Sequence, residues 1–169
     1  MIALPASLIV FAAKDLFVGA PLIAFAWFLR AKRQPRADLV RFAVVSLPLS
    51  FFVLKAAGKV WYDARPFVVG HFTPLIAHAA DNGFPSDHAM LCAAFAALLW
   101  PFDRRWSAAA WLVAVLVGSA RVAVGVHHAA DIAGSFLLAA LTAWAVWRWI
   151  VPPLGRADWY RRLSAKIGF

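Results

Sequence analysis

The sequence predicts an all-α protein: a polytopic membrane bundle of about five transmembrane helices, with six helical segments if the first is split. Of the 169 residues, 64% are hydrophobic and only 15% are charged, and the mean hydropathy is +0.75. Soluble domains are about 45–50% apolar and about 25% charged, so lipid is the expected solvent for this chain. At this length we expect one domain over residues 1–169.

Five apolar stretches carry the predicted helices. They cover roughly residues 2–29, 39–57, 88–102, 106–126 and 129–151. A spanning helix needs about 20 residues, so the third stretch is short unless residues 84–87 belong to it. The first stretch is interrupted once, by Lys14 and Asp15, and fits either one tilted helix or an interfacial segment followed by a span. No basic residue precedes this stretch, so we expect a retained helix instead of a cleaved signal peptide.

Three connections between these stretches are basic. They are the segment 31–37, the turn 101–106 and the tail that begins near Arg148. The positive-inside rule places such connections in the cytoplasm. Alternation through five spans puts all three on the same side, with the N-terminus outside and the C-terminus inside. Topology therefore accounts for most of the net charge of +9. Nucleic acid is not an expected partner, because the basic residues are scattered among apolar spans.

The two remaining connections face outward in this topology and hold most of the other polar residues. All five histidines lie in or beside segments 58–87 and 125–128: His71, His78, His88, His127 and His128. A plain structural bundle gives no reason for this concentration. Cys92 is the single cysteine, which excludes an internal disulfide and a cysteine metal cluster.

Basic side chains near these connections suit an anionic ligand. Lys59, Arg65 and Arg121 supply three positive charges, and guanidinium groups bind phosphate in a bidentate manner. Snorkelling to the interface is the alternative explanation for Lys59. Ser86 follows Pro85 and is expected to cap the third helix, whose N-terminal amides would face an anion.

His127 and Asp131 are four residues apart at the start of an apolar helix and therefore share a face. The carboxylate could hold the proton on one ring nitrogen and leave the other nitrogen as a nucleophile. The alternative is a His–Asp pair with a purely structural role. His88, on another helix, could donate a proton to a leaving oxygen.

The other polar residues of these segments are expected outside the reacting centre. His71, His78 and His128 are expected at the interface or behind the site. Asp63, Asp81 and Asn82 are expected in loops and turns.

Three motifs resemble the type 2 phosphatidic acid phosphatase superfamily, which includes vanadium haloperoxidases and bacterial acid phosphatases. They are KVWYDARP from Lys59, FPSDH from Phe84, and SARVAVGVHHAAD from Ser119. The Arg121, His127 and Asp131 spacing matches the family fully. Three departures occur: five residues instead of six separate Lys59 from Arg65, Ala120 replaces a serine, and Asp87 replaces a glycine.

Several expectations follow from the resemblance. The PSDH form, with DARPFV and GVHH, is similar to the bacitracin-resistance branch of undecaprenyl-diphosphate phosphatases. The resemblance implies that His127 attacks phosphorus, that Asp131 orients the ring of His127, and that His88 protonates the leaving group. Residues that bind the phosphate are Lys59, Arg65, Arg121, Ser86 and the backbone N–H of Asp87. The resemblance implies no cofactor and no metal, a lipid phosphate or diphosphate substrate, and an outward-facing site in the bacterial plasma membrane.

Three other functions remain open at this point. A metal-dependent hydrolase could use His88, His127, His128, Asp131 and Asp87 as zinc ligands, but leaves the cations unexplained. A non-enzymatic protein could bind or transport lipid phosphates with the same basic pocket. Within the enzyme class, phosphatidylglycerophosphate or phosphatidate could be the substrate.

Overall fold

The computed structural model describes residues 5–151, which are almost entirely helical. The helices are α1 (Ala6–Lys14), a 3-10 turn (Leu16–Val18), α2 (Gly19–Arg30), α3 (Arg33–Val60), α4 (Pro66–Val69), α5 (Asp87–Leu99), α6 (Arg104–Ala123), α7 (Ala129–Ala145) and a π-helical turn (Val146–Ile150). The described residues form no strand, and their one isolated β-bridge joins Ala64 to Asn82. The predicted all-α class is confirmed.

Each predicted apolar stretch corresponds to helix. Three helical segments are long and apolar enough to cross a bilayer, namely 33–60, 104–123 and 129–150, and the bent segment 6–30 would make a fourth. The chain is a multi-pass membrane protein. The third stretch forms α5, which has 13 residues and a length of about 20 Å. This is shorter than the hydrocarbon core of a bilayer, about 30 Å.

The first stretch is not one straight helix. It breaks at Asp15, where α1 ends, and the two halves are bent by 48°. The break lies at the pair of charged residues that interrupts the apolar pattern. Next to this break, Ala13 near the end of α1 lies in a buried cluster with Ala120 of α6.

Helix α5 is the centre of the bundle and packs against α2, α3, α6 and α7. Its buried residues include five alanines and Cys92. Small side chains let neighbouring helix backbones approach closely, which is how helices associate in lipid. Burial within protein explains how so short a helix is accommodated in a membrane bundle.

Large apolar side chains cover the outside of the bundle. Examples are Leu22, Phe25, Phe52, Val44 and Leu137, all more than half exposed. A soluble monomer rarely exposes so much contiguous apolar surface. This surface fits contact with lipid.

The helix directions place the polar connections at one end and the basic connections at the other. The ends that meet at the polar side are the C-termini of α3 and α6 and the N-termini of α5 and α7. Described basic residues in or near the opposite connections are Arg30, Lys32, Arg33, Arg36, Arg41, Arg104, Arg105 and Arg148. The predicted basic tail beyond residue 151 lies outside the described residues.

Candidate active site

The segment between α3 and α5 is organised by Asn82. Its amide nitrogen donates to the carbonyls of Gly58 and Trp61, each at 2.8 Å. Its side-chain oxygen accepts from the backbone N–H of Asp63 at 2.9 Å and of Phe84 at 3.0 Å. The sequence predicted only a turn residue here. Asn82 instead ties the end of α3 to the residues that precede α5, and so fixes the segment that carries Arg65.

Arg65 is buried and held on several sides. Its Nη1 donates to the carbonyl of Val126 at 2.9 Å and its Nη2 to that of Asn82 at 3.1 Å. Its Nε donates to Oδ1 of Asp81 at 2.7 Å. These contacts fix the plane of the guanidinium group, so its charge is oriented before any ligand arrives.

The turn between α6 and α7 brings His127 back toward Arg121. Gly125 has a φ of 82°, a left-handed conformation that glycine adopts at little cost. A Cβ there would also lie 2.6 Å from the ring of Phe72. The glycine of the GVHH sequence is therefore required by the turn that positions His127.

The Nε2 atom of His127 lies 3.4 Å from Nη1 of Arg65 and 3.4 Å from Nη2 of Arg121. Guanidinium groups only donate hydrogen bonds, so Nε2 faces them with its lone pair. The ring proton is then on Nδ1, which lies 3.4 Å from Oδ2 of Asp131. The unprotonated Nε2 of His127 therefore faces the positive charges of Arg65 and Arg121.

Burial lowers the pKa of His127 below its ordinary value, and the nearby charges of Arg121 and Arg65 lower it further. The hydrogen bond to Asp131 opposes this shift but does not cancel it. The ring is consequently neutral at neutral pH, as a nucleophile must be.

Asp131 is fully buried and anchored by backbone. Its Oδ2 accepts from the N–H of His128 at 2.8 Å as well as from His127. Its backbone carbonyl accepts from the hydroxyl of Ser135 at 2.7 Å. The carboxylate is thus held on the first turn of α7, behind the ring that it orients.

Ser86 lies at the N-cap position of α5 but does not cap it as predicted. The structure shows no hydrogen bond from its side chain to the helix, and its buried hydroxyl has no partner among the described residues. Its backbone N–H donates to the hydroxyl of Ser135 at 2.9 Å. Because Ser135 takes this amide, the amides that α5 offers to an anion begin at Asp87.

Six of the eight predicted site residues line one cavity of about 340 Å³, which we call the central cavity. They are Lys59, Arg65, Asp87, His88, Arg121 and His127. Asp131 contacts His127 from behind the cavity, and Ser86 is buried beside it. Lys59 and Asp87 are exposed, while the ring of His88 packs edge-on against Phe17 at 4.7 Å.

Residues that the sequence placed outside the reacting centre also line the central cavity. His78 was expected at the interface or behind the site, and Asp81 in a loop. The Nε2 of His78 lies 3.1 Å from Nη2 of Arg121, and its Nδ1 lies 3.2 Å from the carbonyl of Ala79. Burial lowers its pKa, so His78 accepts from Arg121 as a neutral ring. No spacing in the sequence indicates these contacts, because they depend on how the long loop folds back.

His128 and Asp63 form a separate pair, with Nδ1 3.1 Å from Oδ2. Together with Asp131 they offer three ligand atoms within 4.8 Å of one another, so this group could hold a metal ion. It is not the set suggested by the sequence, because His88, His127 and Asp87 are not part of it. Its carboxylate Oδ2 atoms already accept hydrogen bonds from protein groups.

A family model described as the PAP2 superfamily matches residues 39–153, which include all eight predicted site residues. The chain belongs to this superfamily. The predicted family is thereby confirmed.

Curated relatives within the PAP2 superfamily cover most of the chain. "Putative undecaprenyl-diphosphatase YbjG" of Escherichia coli (strain K12) is 35% identical, over 92% of this chain and 81% of that protein. "Bacitracin transport permease protein BcrC" of Bacillus licheniformis is 32% identical, over 82% of this chain and 66% of that protein. "Undecaprenyl-diphosphatase BcrC" of Bacillus subtilis (strain 168) is 28% identical, over 84% and 73%. The predicted bacitracin-resistance branch agrees with these names.

Among solved structures, Aquifex aeolicus LpxE has a similar fold. The two superpose with a TM-score of 0.56 at 16% identity, covering 88% of this chain and 97% of that one. At this identity the likeness supports the PAP2 helical fold and nothing finer.

Proposed function

We propose that this protein hydrolyses undecaprenyl diphosphate to undecaprenyl phosphate and inorganic phosphate, without a metal, through a phosphohistidine on His127. The observation that carries the proposal is the placement of His127 Nε2 between two guanidinium groups, with Nδ1 directed at Asp131. The names of YbjG and of the Bacillus subtilis BcrC support the choice of substrate.

In the first step, Nε2 of His127 attacks the terminal phosphorus of the lipid diphosphate. An N–P bond forms while the bond from that phosphorus to the bridging oxygen breaks. His88 gives a proton to the departing oxygen, so lipid monophosphate leaves. Asp131 stabilises the positive charge that develops on the imidazole ring.

In the second step, His88 accepts a proton from water, whose oxygen attacks the phosphohistidine. The N–P bond breaks, inorganic phosphate is released and His127 is regenerated. The same histidine thus acts first as acid and then as base, as microscopic reversibility requires.

Fixed cations supply the charge stabilisation in both steps. Arg65 and Arg121 balance the phosphoryl oxygens, and Lys59 reaches them from the last turn of α3. The N-terminal amides of α5, from Asp87 onward, add a positive dipole end. Ser86 acts through its backbone, which holds this helix end in place. Phosphoryl transfer depends mainly on such positioning and electrostatics.

The charge distribution supports an outward-facing site in the bacterial plasma membrane. The central cavity lies at the end of the bundle opposite the basic connections, which the positive-inside rule assigns to the cytoplasm. This end of the bundle would meet a carrier lipid whose headgroup is presented on the outer face.

The test is a phosphate-release panel with purified protein in excess chelator. It compares undecaprenyl diphosphate, phosphatidylglycerophosphate and phosphatidate, with the His127→Asn variant as control. We expect the highest kcat/KM on undecaprenyl diphosphate and no turnover by the variant. Preference for another lipid would change the substrate, and loss of activity in chelator would contradict metal independence. A wild type that binds these lipids without releasing phosphate would favour the transport role named for the Bacillus licheniformis relative.

A further inference from the structure

Lys14 lines a second cavity on the far side of His88, the proposed proton donor. This cavity, of about 490 Å³, is lined by Lys14, Leu75, Ile76, Ala77, His78, His88 and Arg121. We call it the Lys14 cavity. His78, His88 and Arg121 also line the central cavity, so these three side chains separate the two spaces. His127 lines the central cavity but not the Lys14 cavity.

The break in the first helix brings Lys14 to this position. It is the last residue of α1, immediately before the 48° bend. The preceding carbonyl, of Ala13, accepts from Nη1 of Arg121 at 3.4 Å, which ties the end of α1 to the site. Lys14 itself has no hydrogen bond or ion pair with any of the residues 5–151. Lys14 is exposed at the end of α1 and lines the Lys14 cavity, so its charge is available to a ligand bound there.

Displacement at phosphorus places the leaving group opposite the nucleophile. If His127 attacks from the central cavity and His88 protonates the leaving oxygen, the leaving group extends past His88. The space on that side is the Lys14 cavity. For a lipid diphosphate, the leaving group is itself a phosphate, so it carries a charge that a lipid alcohol lacks.

We propose that Lys14 binds the phosphate that departs with the lipid, and that it thereby selects diphosphate over monophosphate substrates. This inference rests on the proposed function. In the ground state Lys14 pairs with the inner phosphate of the diphosphate. As the bridging bond breaks, negative charge grows on that phosphate and the pairing strengthens, which favours the transition state.

Lys55 is the competing candidate for this role. It lines the central cavity one helical turn before Lys59, but its Nζ also lies 5.4 Å from the ring centre of Phe51, an exposed residue on the outer surface of α3. Lys55 does not line the Lys14 cavity. A comparison of the two lysines therefore distinguishes the two sides of the site.

The experiment uses two substrates with the same lipid, farnesyl diphosphate and farnesyl phosphate. Phosphate release by the purified full-length protein gives kcat/KM for each. The variants are Lys14→Met, Lys14→Arg and Lys55→Met, with Lys32→Met as a control at the opposite end of the bundle. Thermal unfolding of each variant checks that it is folded.

We expect Lys14→Met to lower the diphosphate-to-monophosphate ratio of kcat/KM by about 10- to 100-fold, the range for a lost charge-assisted contact. Lys14→Arg should keep most of the ratio, and Lys55→Met and Lys32→Met should leave the ratio unchanged. An unchanged ratio in folded Lys14→Met would overturn the inference, as would a fall of the ratio in Lys55→Met. A wild type that is inactive on both farnesyl lipids and on undecaprenyl diphosphate would instead refute the proposed function.

Discussion

At the scale of single residues, the protonation state of His127 follows from its neighbours. Two arginines face Nε2 and can only donate, while a carboxylate faces Nδ1 and accepts. Only the tautomer with its proton on Nδ1 satisfies all three contacts. That tautomer presents the lone pair to the central cavity.

The neutral ring can be tested by NMR of protein labelled with 15N-histidine. We expect His127 at pH 6.5 to be protonated on Nδ1 and unprotonated on Nε2, because burial and the two arginines lower its pKa below 6.5. The His127→Asn variant identifies the signal. The proton is released as pH rises through the pKa, so a lowered pKa leaves the ring mostly neutral at this pH. A ring that is mostly doubly protonated at pH 6.5 would contradict the account.

The adjacent histidines should differ in their effects on turnover. His127→Asn removes the proposed nucleophile, and we expect activity to fall by about 10⁴-fold or more. His128→Asn loses the contact with Asp63 but keeps the backbone N–H that holds Asp131, so we expect a loss of about tenfold or less. Steady-state phosphate release measures both. Equal losses would mean that the nucleophile is assigned to the wrong histidine.

Six of the eight site residues predicted from the sequence motifs line the central cavity and Asp131 lies behind it, because Arg121, His127 and Asp131 lie on one turn and its flanking helices. The motifs did not reveal His78, Asp81 or Asn82. These residues depend on the path of a 26-residue connection, from 61 to 86, for which apolar periodicity gives no information. The sequence also predicted that the Ser86 side chain caps α5, and the structure lacks this hydrogen bond. A serine before a helix is compatible with several hydrogen-bond partners.

At the scale of helices, the hydroxyl of Ser135 joins α5 to α7. It accepts from the N–H of Ser86 at 2.9 Å and lies 2.7 Å from the carbonyl of Asp131. One side chain thereby links the start of the anion-binding helix to the residue that orients His127. The relative position of the two helices at the site depends on this link.

Replacement of Ser135 by alanine should destabilise the bundle. The N–H of Ser86 would lose its partner in a buried place, at a cost of about 1–3 kcal/mol. Thr142→Val is the matched control, because the hydroxyl of Thr142 only bonds the carbonyl of Leu138 within α7. Thermal unfolding in detergent should show a lower Tm for Ser135→Ala than for Thr142→Val. Equal Tm values would show that the link carries no stability.

Apolar patterning predicted that the helices exist but not where they end. Helix α3 begins at Arg33, well before the apolar run that starts near Leu39, because arginine and glutamine are good helix formers. Helix α5 begins at Asp87 and ends at Leu99, so its apolar run is too short for a lipid-facing span. An apolar run marks contact with lipid or core, while helix ends depend on local backbone preferences.

At the scale of the whole molecule, the two ends of the bundle differ in character. One end carries the central cavity, and the other carries the basic connections of α2, α3 and α6. This asymmetry was visible in the sequence, since the positive-inside rule uses charge position alone. The orientation in the membrane remains a prediction.

Cysteine labelling in intact cells tests that orientation. Ala80→Cys lies in the loop beside the central cavity, and Lys32→Cys lies at the opposite end. With Cys92→Ala as background, a reagent that cannot cross the membrane should label position 80 from outside. Position 32 should be labelled only after the membrane is opened. The reverse pattern would overturn the topology.

The central claim is that a phosphohistidine forms on His127, and trapping this intermediate tests it most directly. Undecaprenyl diphosphate labelled with ³²P on its terminal phosphate is mixed with purified protein and quenched in alkali within one turnover, since phosphohistidine is labile in acid. Peptide mapping then locates the label. We predict label on His127 in the wild type and none in the His127→Asn variant. No covalent label during active turnover, or label on His88 or His128, would contradict the account.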